Sequence, residues 1–330
     1  MTHPTEAAML STFLTRTWGL EVPLVGAPMS PMAGGRLAAA VSCAGGLGMI
    51  GVSSAQSVQQ LERDVEEFRA LAGERRFGIG LMTWAVQARP DLLDAALRAR
   101  PFLLALSFGD PAPYAPRVRA AGVELVVQAQ DLATARAAEA AGASLIAAQG
   151  TEAGGHTGAV GTLPLLQVVL ENVRTPVVAA GGIATGRGLA AVLAAGAQGA
   201  WIGTPLLASE EVRNSAEAKR RILAARETDT VHTRVFDVVQ GIPWPRAFPG
   251  RALVNSFTAR WHGHEDELEG DEDARRGFHA AKAAEDFTTA VIYAGQAVGL
   301  VERIEPAAAI LRRIASDAER HLRAAGAIAV

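Results

Sequence analysis

Ala140-Ala141-Gly142-Ala143-Ser144-Leu145-Ile146-Ala147-Ala148-Gln149-Gly150 is the stretch that decides the fold. Two helix-forming alanines meet a glycine, and an apolar run follows at once. The glycine can adopt the left-handed conformation that ends a helix. A strand apolar on consecutive positions is covered on both faces, as in parallel sheets. The phrase recurs as Ala120-Ala121-Gly122 before Val123–Val127 and as Ala194-Ala195-Gly196 before Ala197–Ile202. Cys43-Ala44-Gly45-Gly46 before Leu47–Ile50 is a looser copy. Helix and strand therefore alternate in repeated βα units.

Eight strand candidates emerge: Pro23–Ala27, Leu47–Ile50, Phe77–Leu81, Leu103–Ser107, Glu124–Gln128, Leu145–Ala148, Val177–Ala180 and Gly199–Ile202. Helical stretches separate them, near Gly35–Ser42, Ser57–Ala72, Asp91–Ala99, Pro116–Ala121, Asp131–Ala141, Leu163–Asn172 and Gly186–Ala195. The expected fold is α/β, a closed (β/α)8 TIM barrel. An open doubly wound sheet would need a dinucleotide fingerprint after the first strand, and Ala27-Pro28-Met29-Ser30 is not one.

After Leu207 the rhythm breaks. Glu210–Arg226 is charged and helical in pattern, Gln240–Gly250 holds three prolines, and Glu265–Arg276 is strongly charged. This portion reads as an inserted, mainly helical cap over 209–289. The barrel would comprise 1–208 and 290–330, with Pro306–Ala325 as its closing outer helix.

The 330 residues are 49% hydrophobic and 20% charged, which fits an ordered protein with a large core. A net charge of −3 offers no basic field for nucleic acid or an anionic membrane. Cys43 is the only cysteine, so no internal disulfide forms and no cysteine cluster suggests a metal. It is expected to be a buried small residue on the first helix. Met1–Thr12 lacks the basic start and apolar core of a secretory signal. Leu189–Ser209 runs 21 residues without a charge, but glycines and Pro205 divide it into a helix and a strand. A soluble cytoplasmic protein is expected.

In such barrels the chemistry sits at the carboxyl ends of the strands. The sixth strand empties into Gln149-Gly150-Thr151-Glu152-Ala153-Gly154-Gly155-His156-Thr157-Gly158. A histidine among glycines is a titratable group free to face a ligand. The seventh and eighth strands end in Gly181-Gly182-Ile183 and Gly203-Thr204. Loops at these two positions commonly hold a phosphate on bare backbone amides. Only Asp110 and Glu152 place carboxylates near the strand ends, which argues against a two-carboxylate hydrolase.

Ala27-Pro28-Met29, the Gln149–Gly158 loop, Ala180-Gly181-Gly182-Ile183 and Gly203-Thr204 together resemble the nitronate monooxygenases. The resemblance runs from about Pro23 to Leu207. It extends to the FMN-dependent enoyl-acyl carrier protein reductases and flavin-dependent quinone reductases. It implies an FMN-binding barrel acting on a nitronate and dioxygen, with a carbonyl compound and nitrite as products. The alternative it implies is an FMN-dependent NAD(P)H reductase of an enoyl thioester or quinone.

Carried over by position, His156 is the catalytic histidine. Ala27, Pro28 and Met29 line the flavin ring, and Gln149 and Gly154 contact the cofactor. Gly181 and Gly182, with Trp201, Ile202, Gly203 and Thr204, hold the phosphate. Gly80 stands where the family often has asparagine, and Gln128 where some relatives carry lysine. Pro205 replaces the arginine of a Gly-Thr-Arg-Phe motif, which removes a cation but leaves the amides.

Trp84, Trp244 and Trp261 either shape a substrate pocket or simply pack, and packing is the commoner role. Tyr293 is a candidate to lean over the flavin. His262, His264 and His279 read as solvated rather than metal-bound.

Overall fold

The computed structural model describes residues 10–327. Eight strands run parallel: β1 (Leu24–Gly26), β2 (Gly48–Val52), β3 (Phe77–Met82), β4 (Leu103–Ser107), β5 (Glu124–Ala129), β6 (Leu145–Gln149), β8 (Val177–Ala180) and β9 (Ala200–Ile202). A two-residue strand, β7 (Gly155–His156), lies in the loop after β6. The barrel order is β1-β9-β8-β6-β5-β4-β3-β2. A parallel bridge between Val25 and Leu47 joins the two ends. Gly26 N donates to Leu47 O at 2.9 Å and Leu47 N to Leu24 O at 3.0 Å, so the ring closes. All eight expected strands are present, with no end shifted by more than two residues.

The continuous apolar runs follow from this closure. Successive side chains point to opposite faces of a strand. In β6, Leu145 and Ala147 fill the barrel interior, while Ile146 and Ala148 face the helices. Both faces are dry, so neither position can be polar. The interior also holds Met49, Leu103, Val126, Val178 and Trp201, floored by Leu14 and Trp18. The glycines after the alanine pairs are left-handed as expected: Gly122 has φ 69°, Gly142 77°, Gly196 108° and Gly45 86°.

The last helix, Ala307–Gly326, packs its apolar stripe of Ile310, Leu311 and Ile314 into the outer layer. It crosses helix Gly186–Ala194 so closely that a Cβ at Gly186 would lie 2.4 Å from Asp317 Cβ. Cys43, expected to be buried, is exposed. It closes helix Gly35–Cys43, whose inward face is carried by Leu37, Ala38 and Val41.

Between Ser209 and Pro306 lie helices Ala216–Ala224, Val235–Gln240, Ser256–Trp261, Glu265–Leu268 and Glu272–Ala283. The segment also carries strands β10 (Thr230–Thr233) and β11 (Gly250–Leu253), which the sequence did not suggest. They pair antiparallel, and β11 pairs in turn with β7, setting Gly250 opposite His156. One apolar cluster joins Phe236, Val239, Phe257, Trp261 and Phe278. Trp261 therefore packs. A second cluster joins Leu207 and Ile222 to Leu253, Ile292 and Val298. His262, His264 and His279 are exposed. Among the described residues, no helix is long and apolar enough to cross a membrane.

Candidate active site at the barrel mouth

The end of β6 is organised by amides. Gln130 Nε2 donates to Gln149 Oε1 at 3.0 Å, and Gln149 Nε2 donates to the His156 carbonyl at 3.1 Å. Both glutamines are buried, and Gln130 Oε1 has no partner among the described residues. Glu152 lies beside the Gly181-Gly182 turn, its Cβ 3.5 Å from a Cβ built at Gly182. It accepts from Thr162 N at 2.8 Å and Thr162 Oγ1 at 2.8 Å, capping helix Thr162–Leu170. Asp110 is exposed and accepts from Ala112 N in a turn, at 2.9 Å.

His156 is held on three sides. Its Nε2 lies 2.8 Å from Asp237 Oδ1, with side chains only 8% and 6% exposed. Trp244 stacks on the ring at a centroid distance of 3.4 Å and 9° between planes. Tyr293 tilts against it at 5.6 Å. The approach requires a glycine at 250, where a Cβ would sit 2.9 Å from Tyr293 Cε1 and 3.4 Å from His156 Nε2. Trp244 meets Trp84 at 5.1 Å and Phe108 at 5.0 Å, both edge-on. An aromatic wall therefore stands beside the imidazole.

The electrostatics are those of a dry site. Burial, with Asp237 adding to it, pushes the Tyr293 phenol well above its usual range. His232 Nε2 lies 3.2 Å from Thr157 Oγ1 and 2.9 Å from Pro249 O. Burial and then the charge of Arg251 hold its pKa below the usual histidine value. Arg251 ties β11 to the β6 loop through Nε, which donates to Thr151 O at 2.8 Å.

The other expected residues surround the same mouth. Pro28 covers Gly80, where a Cβ would lie 2.4 Å from Pro28 Cγ. Gly51, paired with Gly80, would collide with Pro28 O at 2.5 Å. The two glycines thus make a notch that the proline ring fills. Gln128 Oε1 accepts from Ser107 Oγ at 3.0 Å. Gly154 lies against the backbone at Ala294, 2.6 Å from a built Cβ. Trp201 and Ile202 spend their side chains on the two core layers, which leaves only their backbone for a ligand.

At the ends of β8 and β9, Gly181 and Gly182 have φ 103° and 71°. Among the described residues, the amides of Gly182, Gly203 and Thr204 find no acceptor. Thr204 Oγ1 accepts from Gly295 N at 3.0 Å. A Cβ at Gly203 would fall 3.2 Å from Met29 Sδ and 3.3 Å from Ala27 Cβ. The rim is therefore an amide-lined cradle whose glycines let Met29, Ala27 and Thr162 pack close against it.

Over residues 11–99 and 90–317 the chain matches the family model described as nitronate monooxygenase. The chain belongs to the nitronate monooxygenase family. It is accordingly an oxidoreductase of the nitronate monooxygenase type. Among family-related proteins, nitroalkane oxidase from Streptomyces ansochromogenes is 32% identical, with a TM-score of 0.78 over 93% of this chain and 98% of that one. FabK from Thermotoga maritima is 29% identical, with a TM-score of 0.84 over 97% and 99%. A hydroxy-methyl-oxo-octahydroindene-carboxyl-CoA dehydrogenase from Rhodococcus jostii is 34% identical over 75% of this chain and 68% of its own length.

Sequence reasoning missed Asp237 and Gln130. The signal for Asp237 was available as a lone acid in the apolar run Val235-Phe236-Asp237-Val238-Val239.

Proposed function

We propose that this nitronate monooxygenase relative oxidises alkyl nitronates with FMN and dioxygen, giving a carbonyl compound and nitrite, in the cytoplasm. The observation that carries the reading is the pairing of an amide cradle at Gly182, Gly203 and Thr204 with a buried, carboxylate-held His156 at the same rim. Gly181, Gly182 and the Trp201–Thr204 backbone would hold the phosphate. Ala27, Pro28, Met29, Gln128, Gln149 and Gly154 would hold the ring, with Gly80 acting through Pro28. Bound FMN supplies the electron transfer that no side chain here can perform.

The chain's own part is placement, water exclusion and proton handling. As imidazolium, His156 donates a hydrogen bond to the anionic nitronate oxygens. As neutral imidazole, it takes a proton from carbon alpha to a nitro group. Trp84, Phe108 and Trp244 give the substrate an apolar wall and keep water from the imidazole. The barrel, residues 1–208 and 290–330, carries the cofactor, and the cap over 209–289 lends Asp237 and Trp244.

The test is the visible spectrum of the purified protein, followed by nitrite release from a propyl nitronate in air. A flavin spectrum with stoichiometric nitrite supports the reading. A colourless protein that does not take up FMN overturns it.

The similarity to a CoA-thioester dehydrogenase favours one second reading, an FMN-dependent NAD(P)H reductase of an enoyl thioester or quinone. Anaerobic mixing with NADH or NADPH separates the two. Fast flavin bleaching supports the reductase, and slow bleaching with rapid nitronate turnover supports the monooxygenase.

A further inference from the structure

We propose that Asp237 is the positioning residue of His156, fixing the imidazole as its Nε2–H tautomer so that Nδ1 is the nitrogen that works on substrate. The assignment rests on the nitronate reading for its chemistry and on geometry for its residue. Asp237 lies 81 positions from His156 in sequence, yet Oδ1 meets Nε2 at 2.8 Å. A carboxylate can only accept, so Nε2 carries the hydrogen. Nδ1 has no partner among the described residues and is left as the basic lone pair.

Burial makes the pair specific. Asp237 stands in the first turn of helix Val235–Gln240, where the helix field favours a negative charge. Its helix neighbours Val235, Phe236 and Val239 are core residues, and its Oδ2 has no partner among the described residues. A buried carboxylate with a single partner is costly to fold. A core with no use for it would be at least as stable with an apolar residue there. Tyr293 and His156 are the titratable groups placed against it. Trp244 on the ring face and Gly250 at the ring edge remove the remaining freedom of the imidazole.

The proton step balances as follows. The bond from carbon alpha to its hydrogen breaks, and its electron pair becomes the carbon–nitrogen double bond of the nitronate. The proton goes to Nδ1, and the imidazolium formed faces the Asp237 carboxylate. Preformed nitronate needs no such step. The two substrates therefore separate positioning of a base from general damage to the site.

The experiment compares wild type with Asp237→Asn, which keeps the size and removes the charge, on a neutral nitroalkane and on its preformed nitronate. Turnover of the nitroalkane is expected to fall about 100-fold, the scale of general-base catalysis, and that of the nitronate by a much smaller factor. Equal losses on both substrates, or none on either, overturn the assignment. Heteronuclear NMR of the histidine ring nitrogens in wild type, with the His156 signal identified by its loss in His156→Gln, gives a readout independent of turnover. An Nε2–H tautomer in the neutral ring supports the assignment, and an Nδ1–H tautomer overturns it even if Asp237→Asn fails to fold. Wild-type protein that releases nitrite from neither substrate defeats the nitronate reading, while the tautomer still decides the role of Asp237.

Discussion

The indole of Trp244 lies flat on the imidazole of His156, with centroids 3.4 Å apart and planes 9° from parallel. Such a contact contributes about 0.5–1.5 kcal/mol beyond the area it buries. It also covers one face of the imidazole. Trp244→Ala should raise KM for nitronates about 3- to 10-fold, the loss of roughly 1 kcal/mol of apolar contact between the wall and the substrate. The melting temperature should fall as well, because Trp244 packs against Trp84, Phe108 and His156. Steady-state kinetics with thermal melts checks both, and an unchanged KM would remove Trp244 from the substrate wall.

His156→Asn tests the centre of the site directly. FMN should remain bound, because the expected phosphate contacts are backbone amides on other strands. Turnover on nitronates should fall by about 100-fold, the scale of losing one hydrogen-bond donor aimed at the reacting anion. The flavin content and the rate are measured on the same sample. A variant that keeps its rate shows that the imidazole takes no part.

Gly80→Asn places the family's frequent residue where this chain has none. A Cβ there would lie 2.4 Å from Pro28 Cγ, so the proline must leave its notch. Overpacking of this kind costs about 1–3 kcal/mol. The shift should appear in the urea midpoint, accompanied by weaker flavin retention. A variant as stable as wild type would mean that Pro28 moves freely.

Gly182→Ala probes the phosphate cradle. Gly182 has φ 71°, a backbone that an alanine adopts only with strain of about 1 kcal/mol. The expected result is a loss of preference for FMN over riboflavin, measured as the ratio of their dissociation constants. An unchanged ratio places the phosphate elsewhere.

Stability should also report on His232. Burial and then the charge of Arg251 hold its folded pKa below the usual histidine value. The unfolded chain therefore takes up a proton first as the pH falls. The stability contributed by keeping this ring neutral is complete above pH 6.5 and is lost as the pH falls through the folded pKa. Chemical unfolding at a series of pH values should show a shallower acid decline in His232→Gln than in wild type. Parallel declines would mean that His232 does not set this limb.

The barrel was legible because its signals are local. Each Ala-Ala-Gly phrase contains its own helix stop, and left-handed glycines at 122, 142 and 196 do what the phrase requires. The loop holding His156 was legible for the same reason. Its geometry was not, because Asp237, Trp244 and Gly250 reach it from 81 to 94 positions away along the chain. Period and composition describe a residue's own neighbours and say nothing of which distant helix will dock there. Cys43 was misjudged for a related reason. Helix length was readable, but the inward face of a nine-residue helix turns on one or two positions at its end.

The strand made of Gly155 and His156 belongs by sequence to the barrel and by pairing to the antiparallel strands β10 and β11. Any attempt to transplant the upper segment onto another barrel, as a way of exchanging substrate preference, would therefore cut through a sheet. The transferable module must begin before Gly154 and carry the histidine with its carboxylate. A chimera joined only at 209 and 289 would bring the acid and the indole to a foreign loop without the strand that aligns them.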